Sequence, residues 1–135
     1  MNRIMALLAV ALLAGCAAQE ETMDSDKEQA IRDYIASRQL AEADRIRTRS
    51  RDRTVELDPT FVLYKTINGS YLIEFAQACR ALIDGEVIPD VRLQGETIRA
   101  RSDTLRGCRI QYIYTLADHE ATELENIGDS TGSHE

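Results

Sequence analysis

Apolar and polar positions divide the chain into segments with different periods. Ile4 to Leu13 is an unbroken apolar run, and residues 17–26 are polar and acidic with no β-branched apolar residue. Residues 27–38 then place Ala30, Ile31, Tyr34 and Ile35 at helical spacing, which predicts a short amphipathic helix capped by Ser25 or Asp26. From Thr54 onward the period shortens to two. Val55 to Leu57 is a short strand ended by Asp58-Pro59. Phe61, Leu63 and Ile67 then alternate with Val62 and Tyr64, and a second strand-forming run, Ser70 to Ala76, follows Asn68-Gly69. Asn-Gly between two such runs predicts a hairpin with a type I′ turn, since both residues tolerate positive φ. Residues 76–83 suit a helical turn or loop that carries Cys79 and stops at Asp84-Gly85. Residues 87–93 and 96–100 predict another hairpin around Gln94-Gly95, with Pro89 making its first strand irregular or an edge. The last strand lies within residues 104–116. There Cys108, Ile110, Tyr112, Tyr114 and Leu116 fall on one face and Arg109, Gln111, Ile113 and Thr115 on the other. Residues 117–127 predict a terminal helix, with Asp118 or Thr115 near its start and Gly128 past its end.

These elements give an α+β fold in a single small domain, residues 27–128. It is dominated by an antiparallel, curled, barrel-like sheet with a short N-terminal helix and a C-terminal helix. Residues 129–135 are a polar tail. No internal repeat or low-complexity segment interrupts the pattern.

The start of the chain supplies an address. Arg3 precedes the apolar run, which is too short to span a bilayer, and Leu13-Ala14-Gly15-Cys16 ends it with small residues before a cysteine. That ending resembles the lipobox of bacterial lipoproteins, which implies a signal peptide over residues 1–15 and acylation of Cys16. Residues 16–26 then read as a lipidated cysteine and a disordered acidic tether. Several acyl chains on Cys16 hold a protein to a bilayer almost permanently, at about 0.8 kcal/mol per buried CH₂. Ala17 and Ala18 follow Cys16, where lipoproteins retained in the inner membrane carry Asp. By that resemblance the protein belongs to the outer membrane, lipid-anchored, facing the periplasm.

Charge and cysteine usage fit this address. The formal net charge is -7, and loss of Arg3 with the signal makes the mature chain one unit more acidic. Such a balance argues against a nucleic-acid partner and for a soluble head. Of three cysteines, Cys16 is assigned to lipid, and Cys79 and Cys108 remain as a pair. Two lone cysteines in an oxidising compartment point to a disulfide. Cys108 on the inward strand face can reach Cys79 behind the first hairpin. Metal or redox chemistry is the rival, but there is no Cys-x-x-Cys and no histidine near either residue.

The most unusual pattern is Arg45, Arg47, Arg49, Arg51 and Arg53 at every second position. On one strand this spacing sets all five guanidiniums on one face, a stripe suited to phosphate or carboxylate groups. Arg99 and Arg101 extend it if they lie on a neighbouring strand. The alternative is a solvated edge or loop, partly neutralised by the acidic tether or tail.

Several stretches occur together in one order: Tyr34-Ile35-Ala36, Asp44-Arg45-Ile46-Arg47-Thr48, Tyr71-Leu72-Ile73-Glu74-Phe75 before Cys79-Arg80, and Arg106-Gly107-Cys108-Arg109-Ile110. The set resembles a family of small exported proteins and lipoproteins of proteobacteria with no assigned function. The resemblance covers residues 31–128, with the paired cysteines its most specific feature. It implies one disulfide-bearing periplasmic domain and brings no catalytic residue, cofactor or substrate.

Catalytic chemistry finds little to work with. His119 sits beside Glu120 in the acidic terminal helix and His134 near the end, so neither has a nucleophile to serve. The carboxylates Glu74, Asp90 and Asp103 form an acid/base pair only if the fold joins two of them. No metal-ligand spacing or phosphate loop is present. The sequence therefore predicts no enzyme, cofactor or metal site. It predicts a noncatalytic envelope lipoprotein with a structural or interaction role, bound to the bilayer through Cys16 and to an anionic envelope component or envelope protein. The alternative is a periplasmic module holding a small ligand between sheet and terminal helix.

Overall fold

A computed structural model describes residues 19–49, 51–85 and 96–127, with side chains from Asp26 onward. The signal segment with Cys16, the strand expected over residues 87–93 and the C-terminal tail lie outside the described residues. The elements in order are α1 (Gln19–Arg38), β1 (Arg45–Arg47), β2 (Arg53–Glu56), β3 (Phe61–Thr66), β4 (Gly69–Phe75), α2 (Arg80–Asp84), β5 (Thr97–Arg99), β6 (Thr104–Leu105), β7 (Cys108–Leu116) and α3 (Asp118–Glu125). Among them no helix is long and apolar enough to cross a membrane. The fold is α+β, as the alternation and helical patterns predict: a curled antiparallel half-barrel with helices on its outside.

Five strands form the main sheet in the order β2-β3-β4-β7-β6. Alternation along β3 decides the layers. Phe61 and Leu63 join Leu72, Leu116, Ala121, Leu124 and Ile31 in a core beneath α1 and α3. Val62 and Tyr64 join Ile73, Phe75, Ile110 and Ile113 in a second core inside the curl. A two-stranded ribbon, β1 with β5, closes that inner side by burying Ile46 and Ile98. The chain reaches the ribbon along the edge of β7, where the Ala43 N–H donates to the Ile113 carbonyl (2.7 Å) and the Thr115 N–H to that of Ala41 (2.9 Å). Arg106, in the β6–β7 turn, pairs with Glu56 of β2, so the two edges of the sheet curl within reach of each other.

Several details depart from the sequence expectations. α1 begins at Gln19, so the acidic stretch expected as a disordered tether is helical from there, and Ser25 and Asp26 lie inside the helix. The hairpin over β3 and β4 is present, but Ile67 and Asn68 form its turn, and neither has positive φ. The Thr66 hydroxyl ties this turn, donating to the Gly69 carbonyl (3.0 Å) and accepting from the Asn68 N–H (3.2 Å). The type I′ geometry appears instead at Arg106 and Gly107, with φ of 52° and 78°, and makes a hairpin of β6 and β7.

The single inward face expected for β7 is also corrected. Glu74 pairs with Tyr112 and Phe75 with Ile110, so Gln111 is an extra residue at a bulge. Past the bulge the faces exchange: Ile110 and Ile113 share the inner core, while Tyr112, Tyr114 and Leu116 face the helices. Residues 96–100 do supply a strand, but its described partner is β1.

The disulfide joins Cys79 to Cys108 with their Cα atoms 5.6 Å apart. Cys79 is buried in the inner core, and its N–H donates to the Pro59 carbonyl (2.7 Å).

Candidate functional site

The β1–β5 ribbon is built from two matching triplets, Arg45-Ile46-Arg47 and Thr97-Ile98-Arg99. Their central isoleucines are buried, so alternation turns Arg45, Arg47 and Arg99 outward, where all three are exposed. Backbone bonds from Thr48 N–H to the Glu96 carbonyl (2.8 Å) and from Ala100 N–H to that of Asp44 (3.0 Å) fix the pairing phase. Arg45 and Arg99 are register partners and by that phase form a non-hydrogen-bonded pair, the kind with the closest side chains, their Cβ atoms about 4.5–5.5 Å apart. Thr48 anchors the end of the ribbon, its buried hydroxyl donating to the Glu96 carbonyl (2.7 Å).

The five alternating arginines do not share one strand face. Arg45 and Arg47 lie on β1, Arg49 and Arg51 in the connection, and Arg53 on β2 in the other sheet. The break is local chemistry. The Asp52 carboxylate accepts from the Arg49 N–H (2.6 Å) and the Tyr64 hydroxyl (3.0 Å), while the Asp52 N–H donates to the Arg49 carbonyl (3.3 Å). That turn ends β1 and redirects the chain into β2. All five arginines are exposed, yet the coherent basic face consists of Arg45, Arg47 and Arg99. Arg101 does not extend it. It has positive φ, sets its guanidinium 5.5 Å from the Tyr112 ring centroid and pairs with Glu42 at 3.5 Å.

Several other arginines are matched with acids. Arg32 holds Glu28 and Glu74, Arg38 holds Glu123 and Arg106 holds Glu56. Among the described residues, Arg45, Arg47 and Arg99 have no carboxylate at ion-pair distance. Two like charges facing across a strand pair oppose ribbon formation, and an external anion relieves that repulsion. Arg99, expected to extend the stripe if it lay on a neighbouring strand, does so across β1–β5, by a pairing between residues far apart in sequence.

Of the carboxylates singled out by sequence, the two that are described, Glu74 and Asp103, are not brought together. Glu74 is buried beneath α1 against Arg32 (2.6 Å) and the Tyr114 hydroxyl (3.4 Å). Asp103 accepts from the Arg99 N–H (2.7 Å), and Asp90 is outside the described residues. His119 is exposed on α3. Leu63, Leu72, Leu116, Ala121 and Leu124 occupy the space between sheet and α3. Among the described residues no group of three His, Cys, Asp or Glu could hold a metal ion.

Two phenols on the helix side are perturbed. Burial, then the charge of Glu74, pushes Tyr114 up to about 12, and burial with the hydrogen bond to Glu123 does the same for Tyr34. Both bind their proton more tightly folded than unfolded, where a phenol titrates near 10. Their contribution to stability is therefore complete below about pH 10 and is lost as pH rises toward 12. The melting temperature should hold below that window and fall within it, more shallowly in Tyr114→Phe. A flat profile through that range, or a fall unaffected by Tyr114→Phe, would contradict the assignment.

Residues 1–128 match the model of a family of unknown function (DUF6491). No curated protein and no solved structure matches the chain significantly.

Proposed function

We propose that this chain, which belongs to the DUF6491 family, is an exported lipoprotein acylated on Cys16, whose small disulfide-stapled domain binds an anionic component of the cell envelope. The observation that carries the binding role is the opposed Arg45–Arg99 pair with Arg47 beside it, exposed and without acidic partners among the described residues. A surface cation retained against a like neighbour weakens the fold, so its use lies outside the domain. Support for the address comes from the Leu13-Ala14-Gly15-Cys16 ending, Ala17 and Ala18 after it, and a Cys79–Cys108 bond of the kind that persists in oxidising compartments. In this reading the protein sits on the periplasmic face of the outer membrane and works by binding, without catalysis.

Metabolic labelling with palmitate tests the address. Native protein should take up label and fractionate with membranes, and Cys16→Ser should do neither while remaining folded. Label absent from both, with the product in the cytosol, would remove the reading.

A further inference from the structure

α1 and the basic face belong to opposite sides of the described domain. α1 packs Ile31, Tyr34 and Ile35 against one face of the main sheet, whereas the ribbon packs Ile46 and Ile98 against the other. The layers therefore follow the order α1, main sheet, ribbon, arginines. Packed layers stand about 10 Å apart, which puts about 20 Å between the axis of α1 and the ribbon backbone. α1 starts at Gln19, three residues after Cys16. Three residues span at most about 11 Å in any conformation. The basic face thus points away from α1, the described element nearest to Cys16 in sequence.

We infer that the Arg45–Arg47–Arg99 face takes the free carboxylates of the cell-wall polymer, peptidoglycan, and not the headgroups of the membrane that holds the chain. This rests on the acylation of Cys16 put forward above. Guanidinium forks bind carboxylates bidentately, and the closest-approach register of Arg45 and Arg99 lets one anionic group bridge both. The mature chain is one unit more acidic than the formal net charge of -7, so such a polymer is drawn to a cluster of exposed arginines such as this one and repelled by acidic surface. A wall carrying repeated carboxylates offers many such contacts at once.

Full-length mature chain with Cys16→Ser, and so without lipid, is mixed with purified peptidoglycan sacculi and, separately, with vesicles of phosphatidylethanolamine and phosphatidylglycerol, then sedimented. The expected result is pelleting with sacculi, weakened by salt, by amidation of the wall carboxylates and about tenfold or more by Arg45→Ser/Arg99→Ser, with little pelleting on vesicles. Arg99→Glu provides a second readout. Opposite charges across β1–β5 should raise the melting temperature while pelleting is lost. Equal or stronger pelleting with vesicles, indifference to amidation or to the arginine changes, or no pelleting with sacculi would each overturn the inference. Palmitate uptake at Cys16 together with failure on sacculi would remove only the wall as partner. Failure of labelling would remove the premise of both.

Discussion

Replacing Cys79 and Cys108 together with alanine should lower the melting temperature by about 15 °C or more. The bond joins residues 29 apart in sequence. Closing a loop of that length stabilises by about 3–4 kcal/mol in the chain-entropy model, and each kcal/mol moves the midpoint of a domain this size by about 4–8 °C. The native contacts of the two cysteines point the same way. Cys79 starts α2, its carbonyl accepting from the Ile83 N–H (3.2 Å), and its own N–H holds the turn before β3 through Pro59. Cys108 opens β7, the longest strand. The bond thus fastens the turn before β3 and the start of α2 to the far side of the sheet, across a loop that contains β5 and β6. Urea titration separates the two contributions. If the bond acts by restricting the unfolded chain, the variant exposes more surface on unfolding and its m value rises. A drop of only a few degrees with unchanged m would show that packing of β7 against β4 holds the domain without a staple.

The parts of the fold that were legible in the sequence are those encoded locally. The β3–β4 hairpin follows from alternation between Phe61 and Phe75, and α3 from a helical pattern after a long strand. Features set by more distant contacts were not legible. Nothing local at Gln111 announces a bulge, yet that residue decides which tyrosines face the helices. Asn68-Gly69 carries the stronger turn signature, but the Thr66 hydroxyl draws the turn one residue earlier, while Arg106-Gly107 takes the positive φ values. The arginine alternation was read as one strand because its spacing is uniform. Asp52 interrupts it with a carboxylate that captures the Arg49 N–H, a tertiary choice reinforced by Tyr64 from β3. The basic face survives in another form, since its third member, Arg99, arrives by a pairing between residues far apart in sequence.

Arg32→Met should cost about 2–3 kcal/mol, the second largest loss expected from a local change, because of what it leaves behind. The Glu74 side chain is 9% exposed, and Arg32 reaches it at 2.6 Å across 42 residues of sequence. Burial works against the charge on Arg32, yet hydrogen bonds to Glu28 and Glu74 more than reverse this and raise its proton affinity. Removing the guanidinium strands a buried carboxylate beside the Tyr114 hydroxyl at 3.4 Å and removes a cation stacked 5.1 Å from the Phe61 ring centroid. Breaking a buried pair from one side costs about 3–5 kcal/mol, discounted here because the Arg32 side chain is 40% exposed. Glu74→Met in the Arg32→Met background should recover most of the loss, since an apolar pair of similar size leaves no stranded charge. A thermodynamic cycle over the two single changes and the double then gives a coupling of at least about 1 kcal/mol. Additive effects would mean that α1 is held by Ile31, Tyr34, Ile35 and the Arg38–Glu123 pair, with the Arg32–Glu74 pair contributing nothing. Coupling would instead make Glu74 the anchor that fixes where α1 crosses the sheet, and with it where the N-terminal end of the domain emerges.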